Sequence, residues 1–294
     1  MTSLVFKRDS FAGLPVSHLF DRSNPLVHEI LSLAEVLELK NPNPPAWLPP
    51  LARVFHWGYG ICEDDFQENF LPVGNFLQET SPSLFSCDLG PAARKHEGIL
   101  PISPIMGQKA IYERAKINLR LLRSKYDGPV ALENYNFYPT GLYNRICDPD
   151  FIADFLSHFN LGLVLDLAHA AISAVNMGFD IFRYLEKLPL DKVVEIHVSK
   201  PYLPPEAGRL GVDTHEAPEE REWSWLSFVL DHTRLTEAKP LVLIEYYKDL
   251  KTLKKCMLRM QEKLNVDLSP SQNPIELLPK ALSLQGALVN AKRG

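Results

Sequence analysis

Eight short apolar runs recur along the chain, and longer stretches with helical periodicity separate them. Most of these runs are nearly continuous in Val, Leu, Ile and Phe, which is typical of parallel strands buried on both faces. Eight such strand–helix units in about 250 residues predict an α/β fold of the (β/α)8 TIM-barrel type, with a doubly wound open sheet as the alternative. The predicted strands span residues 14–20, 34–40, 52–58, 83–89, 129–135, 161–168, 192–199 and 240–247.

Helical patterns fill the intervals, with apolar residues three and four positions apart. The clearest span residues 106–126, 148–159 and 179–188, and a further helix is predicted over 251–264. No repeat or linker divides the chain, so we expect a single TIM-barrel domain over residues 1–294, with the barrel at about 10–264. The tail at 265–294 has enough apolar residues either to cover the barrel or to form a homodimer contact.

Composition excludes several other classes of protein. The net charge of −5 gives no general basic face for nucleic acid. None of the four cysteines forms a C-x-x-C pair, so neither a zinc ribbon nor a dithiol redox motif is expected. No stretch approaches the roughly 20 apolar residues of a membrane span, and the N-terminus has no signal-peptide core. We therefore expect a soluble cytoplasmic protein that binds neither nucleic acid nor membrane.

The ends of the predicted strands carry the residues that decide the function, because a TIM barrel places its active site there. Six consecutive strands, the third to the eighth, each end in a carboxylate or an imidazole. The loop after the seventh strand adds an aspartate and a histidine in the stretch GVDTHEAP. The candidate ligands are His56, Asp88, Glu133, Asp166, His169, His197, Asp213, His215 and Glu245.

Each candidate alone has an ordinary structural explanation, such as a core histidine bonded to backbone or an aspartate that caps a helix. Together they would bring several carboxylates to one opening, where repulsion raises their pKa values. No Lys or Arg ends the third to eighth strands, and the nearest cations are Lys200 and Lys248. Bound metal is the simplest compensation.

Two local spacings agree with a metal site. Asp166 and His169 are three positions apart, which suits a strand end that turns into a loop. Asp213 and His215 are two positions apart, so an extended segment would send both side chains to one side. Nine oxygen and nitrogen ligands without a thiolate suit two or three ions of iron, zinc or manganese.

The motifs around these residues resemble the multinuclear non-haem iron-dependent oxidative enzymes, the family that includes the methanobactin biosynthesis oxidase. The likeness covers roughly residues 50–248 and rests on HWGYGI from His56, N-x-G-x-D at 176–180, E-I-H at 195–197 and D-T-H at 213–215. It implies a xylose-isomerase-like barrel, two or three irons and the use of dioxygen. The helix predicted at 251–264 and the tail would form a C-terminal helical extension of that barrel. The substrate it implies is cysteine or another side chain of a ribosomally made peptide, or a small molecule in natural product biosynthesis. A partner protein usually presents such a peptide.

The resemblance also implies roles for individual residues. All nine candidates would hold iron, and Glu133, His197, Asp213 and Glu245 would take part in catalysis. Asn134, Asn176 and Tyr135 would orient the ligands from behind, because metal ligands need partners that fix their direction. For Asn176, a role in a turn is an equal alternative.

Two positions depart from the family pattern. Asp88 stands where the family usually has histidine, and His169 stands where it usually has asparagine. With His169 the set is also similar to the trinuclear zinc site of AP endonucleases and to metal-dependent sugar isomerases and epimerases. A zinc or manganese phosphodiesterase is therefore one alternative. A sugar isomerase or epimerase, in which Glu133 and Glu245 exchange a proton, is another. A metal-binding scaffold without activity ranks last.

Overall fold

The apolar runs form eight parallel strands that close into a barrel in the computed structural model, which describes residues 10–90, 107–139, 143–204, 209–234 and 239–264. The strands follow chain order around the barrel, and the last pairs with the first. The (β/α)8 prediction is confirmed, and the open-sheet alternative is wrong. The barrel strands are β1 (Phe11–Pro15), β2 (Val36–Leu39), β3 (Ala52–Gly60), β4 (Phe85–Asp88), β5 (Val130–Glu133), β6 (Gly162–Asp166), β7 (Val193–Val198) and β10 (Leu241–Ile244).

A small antiparallel hairpin lies outside the barrel, between β7 and the helix that precedes β10. It consists of β8 (Lys200–Tyr202) and β9 (Val212–Glu216). Helices cover the outside of the barrel. They are α1 (Pro25–Leu31), α2 (Phe66–Thr80), α3 (Gln108–Arg123), α4 (Tyr143–Ile146), α5 (Pro149–Phe159), α6 (Leu167–Met177), α7 (Ile181–Lys187), α8 (Glu220–Arg234) and α9 (Leu250–Leu264).

The first strand is the one whose predicted position is wrong. The prediction placed it at residues 14–20, whereas β1 spans Phe11–Pro15 and its Gly13 pairs with β2 and β10. A side chain at Gly13 would meet Leu241 Cδ1 and Leu243 Cγ at 2.8 Å. Gly13 therefore lies in the strand because no larger residue fits the crowded barrel interior, and the stretch from residue 16 to residue 20 lies in turns and a loop.

The barrel interior changes from apolar to charged along each strand. An apolar layer fills the end from which the strands start; its members are Phe11, Val36, Ala52, Val54, Leu84, Ala131, Val164, Val194, Leu241 and Leu243. Two residues further along, the next inward position is charged in several strands, because side chains alternate with a period of two. Val54 is followed by His56, Ala131 by Glu133, and Val164 by Asp166. The apolar layer thus closes the barrel beneath a polar mouth.

The N-x-G-x-D motif has a structural explanation. Gly178 ends α6 with a φ of 78°, in the left-handed region that glycine adopts without strain. Asp180 caps α7, and its carboxylate accepts hydrogen bonds from the backbone of Phe182 and Arg183. The motif therefore ends one helix and starts the next, beside the mouth of the barrel.

The C-terminal part of the described chain is α9, which packs against α1 and β1. The predicted tail at residues 265–294 and its two suggested roles lie outside the described residues. Within the described ranges, no helix combines the length and hydropathy that crossing a bilayer requires.

Candidate metal centre

All nine candidate ligands lie at the mouth of the barrel, and they fall into three connected groups. The first group is His56, Asp88 and Glu133, from β3, β4 and β5. His56 Nε2 lies 3.2 Å from Glu133 Oε2 and 3.8 Å from Asp88 Oδ1. On its other side, His56 Nδ1 is 3.0 Å from Ser86 Oγ. The serine thus fixes the ring so that Nε2 faces the two carboxylates.

The central group is the most buried of the three. It consists of Glu133, Asp166, His197 and Glu245, each at most 5% exposed. His197 Nδ1 lies 3.3 Å from Glu133 Oε1 and 3.7 Å from Glu245 Oε1. Asp166 places a carboxylate oxygen within 4.8 Å of both His197 and Glu245. Glu133 belongs to the first group as well, through its other oxygen.

The third group, called the rim group here, is His169, Asp213 and His215. Asp213 Oδ2 lies 3.5 Å from His169 Nε2 and 3.2 Å from His215 Nδ1. His215 Nε2 is 3.2 Å from Glu245 Oε2, which joins the rim group to the central group. His215 is the most exposed of the nine, with 36% of its side chain accessible.

The local structures of the rim group differ in part from the predictions. Asp213 and His215 lie on β9, and both face the same side as predicted, although His215 has a φ of 45°. His169 is not in a loop. It lies in the first turn of α6, because Asp166 caps that helix and accepts the His169 backbone N–H at 2.7 Å.

Opposed charges perturb the ionisation of the centre. Burial alone would lower the pKa of His197, but Glu245, Glu38 and Glu133 outweigh it and raise that pKa well above its usual value. Conversely, burial would raise the pKa of Glu133, but His56 and His197 hold it well below its usual range. In the metal-free protein, protons on imidazoles compensate the carboxylates, and bound cations would take over that role.

Two aspartates keep raised pKa values even so. Burial, and then Glu133, raise the pKa of Asp88 to about 7. Burial raises the pKa of Asp166 to about 6, against the opposing effect of His169. Both carboxyls therefore need a stronger positive charge than their neighbours provide before they ionise fully near neutral pH.

Unpartnered polar atoms test whether the site fits metal ions. Buried side-chain polar atoms nearly always have a hydrogen-bond partner. Among the described residues, seven buried side-chain atoms lack one, and five of them lie in or directly beneath this centre. His197 Nδ1 and Asp166 Oδ2 belong to candidate ligands and face the other carboxylates. Together with the mixed imidazole and carboxylate donors, these free lone pairs fit a site for several divalent cations.

The comparison with protein families agrees with this geometry. Residues 63–265 match the family described as RiPP precursor modification enzyme MbnB/TglH/ChrH. The chain belongs to this family. The resemblance seen in the sequence is thereby confirmed, since RiPPs are ribosomally made peptides that are modified after translation.

Relatives of this chain include UPF0276 proteins. One from Caulobacter vibrioides is 31% identical over 101 residues, which cover 34% of this chain and 35% of that protein. One from Bordetella pertussis is 30% identical over 194 residues, covering 63% of this chain and 66% of that protein. The chain thus matches less than two thirds of the length of these relatives.

Solved structures share the fold of this chain at low sequence identity. A xylose isomerase domain containing protein from Salmonella typhimurium has a TM-score of 0.59 at 10% identity, covering 88% of this chain and 98% of the other. A 3-keto-D-glucoside 4-epimerase from E. coli has a TM-score of 0.58 at 12% identity, covering 86% and 99%. These likenesses show a xylose-isomerase-like TIM barrel, as predicted.

Three charged residues of the centre are not among those predicted from the sequence. Glu38 on β2 and Glu195 on β7 are fully buried beneath the candidate ligands. Lys40, which directly follows β2, forms ion pairs with Glu245 and with Glu38, the latter at 3.3 Å. Their spacing could have indicated them. Glu38 and Lys40 are two positions apart, as are Glu195 and His197, and residues two apart in an extended segment share one face.

The expectation about nearby cations is therefore corrected. Lys200 and Lys248 were the nearest cations expected, but they pair with Glu219 and Glu216. Among the lysines of the described ranges, Lys40 is the one with an ion pair to a candidate ligand. Burial would lower its pKa, yet Glu245 and Glu38 raise it well above the usual value, so Lys40 stays charged.

The residues predicted to orient the ligands have clear contacts. Asn134 is buried and pairs with the backbone of Asp166 through both ends of its amide, at 2.8 and 3.1 Å. Asn176 donates to the Phe137 carbonyl at 2.7 Å and accepts from the Gly211 N–H at 2.8 Å. Asn134 thus holds a candidate ligand directly, whereas Asn176 holds the segment that leads into β9.

Tyr135, the third residue of this kind, stacks on Tyr143 with ring centroids 5.5 Å apart. Burial, and then Asp88, raise the pKa of its hydroxyl. Tyr135 therefore lies close to the first group as a neutral phenol, and no hydrogen bond between its hydroxyl and a candidate ligand is present in the described part of the chain.

Proposed function

We propose that this chain is an iron-dependent enzyme that uses dioxygen to oxidise a side chain of a ribosomally made precursor peptide, with cysteine as the first candidate. Membership of the MbnB/TglH/ChrH family supports the peptide substrate. The donor chemistry of the three groups supports a centre with more than one divalent ion, since imidazole and carboxylate suit iron.

The observation that carries the proposal is the sharing of two carboxylates between groups. Glu133 directs Oε2 to His56 and Oε1 to His197. Glu245 directs Oε1 toward His197 and Oε2 toward His215. Because these two glutamates are shared between neighbouring groups, the nine residues would hold up to three ions, one near each group.

Bound ferrous iron would supply the electrons for reduction of dioxygen and a Lewis acid for a substrate thiolate. The chain contributes position and access. The apolar layer closes the barrel beneath the centre, so a substrate enters from the mouth. His215 and Asp88 are more exposed than the central ligands, at 36% and 20% of their side chains. A peptide side chain therefore meets the rim group or the first group before the central one.

The experiment compares His197→Ala with His28→Ala, a matched change of a histidine that lies on α1 and bonds to the Arg22 carbonyl. Each protein is loaded with ferrous iron under nitrogen, and iron content is measured. Oxygen uptake is then followed with a cysteine-containing peptide and with its Cys-to-Ser version. We expect wild type and His28→Ala to hold iron and consume oxygen with the cysteine peptide, and His197→Ala to lose at least the iron of the central group and to consume no oxygen. Iron content that is unchanged in His197→Ala would refute the assignment.

A peptide-presenting partner protein belongs to the same proposal. If a partner is required, oxygen uptake by the loaded chain with peptide alone will be slow and will rise when the partner is added. Equal rates with and without a partner would show that the chain acts alone.

One observation favours a second candidate, a zinc-dependent phosphodiesterase. His169 faces Asp213 and gives the rim group two imidazoles and one carboxylate, a set that suits zinc. On this alternative the centre would generate a hydroxide nucleophile and stabilise a leaving oxygen. Zinc-loaded protein that hydrolyses a phosphodiester, without oxygen uptake in the iron-loaded form, would decide for it.

A further inference from the structure

Two glutamates beneath the centre remain unexplained by the nine ligands. Glu38 and Glu195 have no accessible surface, and three of their four carboxylate oxygens have no hydrogen-bond partner. Together with His56 and His197 they form a group with metal-binding geometry. A buried carboxylate without a partner is costly, so its presence calls for a physical reason.

His197 connects these glutamates to the centre. Its Nδ1 faces the candidate ligands, 3.3 Å from Glu133 Oε1. Its Nε2 faces the opposite way, 2.7 Å from Glu195 Oε1 and 3.1 Å from Glu38 Oε2. A neutral imidazole carries one proton, and the nitrogen without it is the one that can bind a metal. Which of the two nitrogens faces the metal therefore depends on what accepts the proton.

The two glutamates are not equivalent. Glu38 has a cation of its own, because the Lys40 ammonium lies 3.3 Å from its Oε1. In the described residues, Glu195 has no ion pair with Lys or Arg, and its shortest polar contact is with His197 Nε2. Glu195 is thus the acceptor that depends on His197.

We propose that Glu195 is a positioning residue for the metal centre. It accepts the Nε2–H of His197, which fixes the ring and the tautomer so that the Nδ1 lone pair faces the central group. Glu38, compensated by Lys40, supports the same ring from the second direction. The inference rests on the proposed metal centre and extends it by naming the residue that determines how its most buried histidine binds.

The alternative for this group is a further ion held by Glu38, Glu195 and His197 Nε2. Two features oppose it. The Lys40 ammonium already lies beside Glu38, and a second cation there would be repelled. His197 would also have to lose its last proton in order to bind metals through both nitrogens.

The test measures how strongly the centre holds Fe²⁺ under nitrogen in competition with a chromogenic chelator. Glu195→Leu removes the acceptor, and we expect the ion held by His197 to bind about 10- to 100-fold more weakly. Glu195→Gln keeps an acceptor oxygen, so its loss should be smaller. Glu222→Gln is the matched control, since Glu222 is equally buried but caps α8 by accepting the Glu219 N–H at 2.9 Å. Its iron affinity should equal that of wild type.

Thermal unfolding separates positioning from a merely structural role. In the metal-free protein Glu195 faces a protonated His197, so Glu195→Leu breaks a buried pair and should lower the metal-free melting temperature on either role. The roles differ in the rise that iron causes. Positioning predicts that this rise shrinks in Glu195→Leu, whereas a merely structural role predicts that it equals the rise in wild type.

The outcomes keep the two proposals apart. Wild type that holds no iron would overturn the metal centre itself. If wild type holds iron but both Glu195 variants bind it with the same affinity as wild type, only the positioning role is overturned. If Glu195→Leu does not fold, the comparison of Glu195→Gln with Glu222→Gln decides: equal iron affinity in these two variants refutes the inference.

Discussion

Metal binding should release protons from the centre, and Asp88 makes part of that release measurable. The pKa of Asp88 is about 7 in the metal-free protein, because burial and Glu133 raise it. A metal ion binds the ionised carboxylate, so the proton must leave. From that pKa, Asp88 carries about 0.9 proton at pH 6 and about 0.1 at pH 8.

The histidines release protons too, so the assay uses a difference between two proteins. The proton count on metal binding is obtained by calorimetry in buffers with different ionisation enthalpies. Asp88→Asn removes the titrating carboxyl while the other ligands stay. We expect wild type to release about 0.9 proton more than Asp88→Asn at pH 6 and about 0.1 more at pH 8.

Asp180→Asn provides the control. Asp180 caps α7 and is not a candidate ligand, so this variant should release as many protons as wild type at both pH values. Equal proton release by wild type and Asp88→Asn at pH 6 would refute the reasoning, because Asp88 would then either be ionised already or bind no metal.

Three further predictions concern stability and metal content. The metal-free protein should melt at a lower temperature at pH 8 than at pH 6. The folded-state pKa values of Asp88 and His197 are raised, so the folded chain holds more protons than the unfolded chain over this range and loses stability as the pH rises. A melting temperature that rises with pH would contradict this prediction. Lys40→Met should lower the stability of the metal-free protein by about 1–3 kcal/mol, since Glu245 and Glu38 lose a partly exposed partner, and it should increase the stabilisation by metal. The control Lys254→Met breaks a surface pair with Glu29 and should change neither quantity. Both variants are measured by thermal unfolding with and without Fe²⁺. Asp88→His should keep or raise the iron content measured by elemental analysis, because it replaces one ligand type by another in the first group. Complete loss of iron would show that β4 is placed wrongly.

Seven of the eight barrel strands could be located from the sequence because their apolar runs coincide with the pairing segments. β1 could not, because Gly13 lies there for lack of space beside Leu241 and Leu243. Such crowding depends on strands that are about 230 residues away in the sequence. Composition within a short window contains no information on it.

The candidate ligands were found because barrel strands end at one mouth, so a residue's position in its strand predicts its place in space. His169 was misplaced in a loop because the capping role of Asp166 was not recognised. Glu38 and Glu195 were not predicted, because neither is the last residue of its strand. Their inward direction follows from the two-residue period, but the convergence of both on His197 requires the closed barrel.

The most direct test of the account is the metal content of the protein purified without oxygen from cells supplied with both iron and zinc, combined with Mössbauer spectroscopy. The account predicts about three irons per chain, one for each donor group, with spectra that show spin coupling between neighbouring ions. Full occupancy by zinc or manganese, stable in air and without iron, would contradict it.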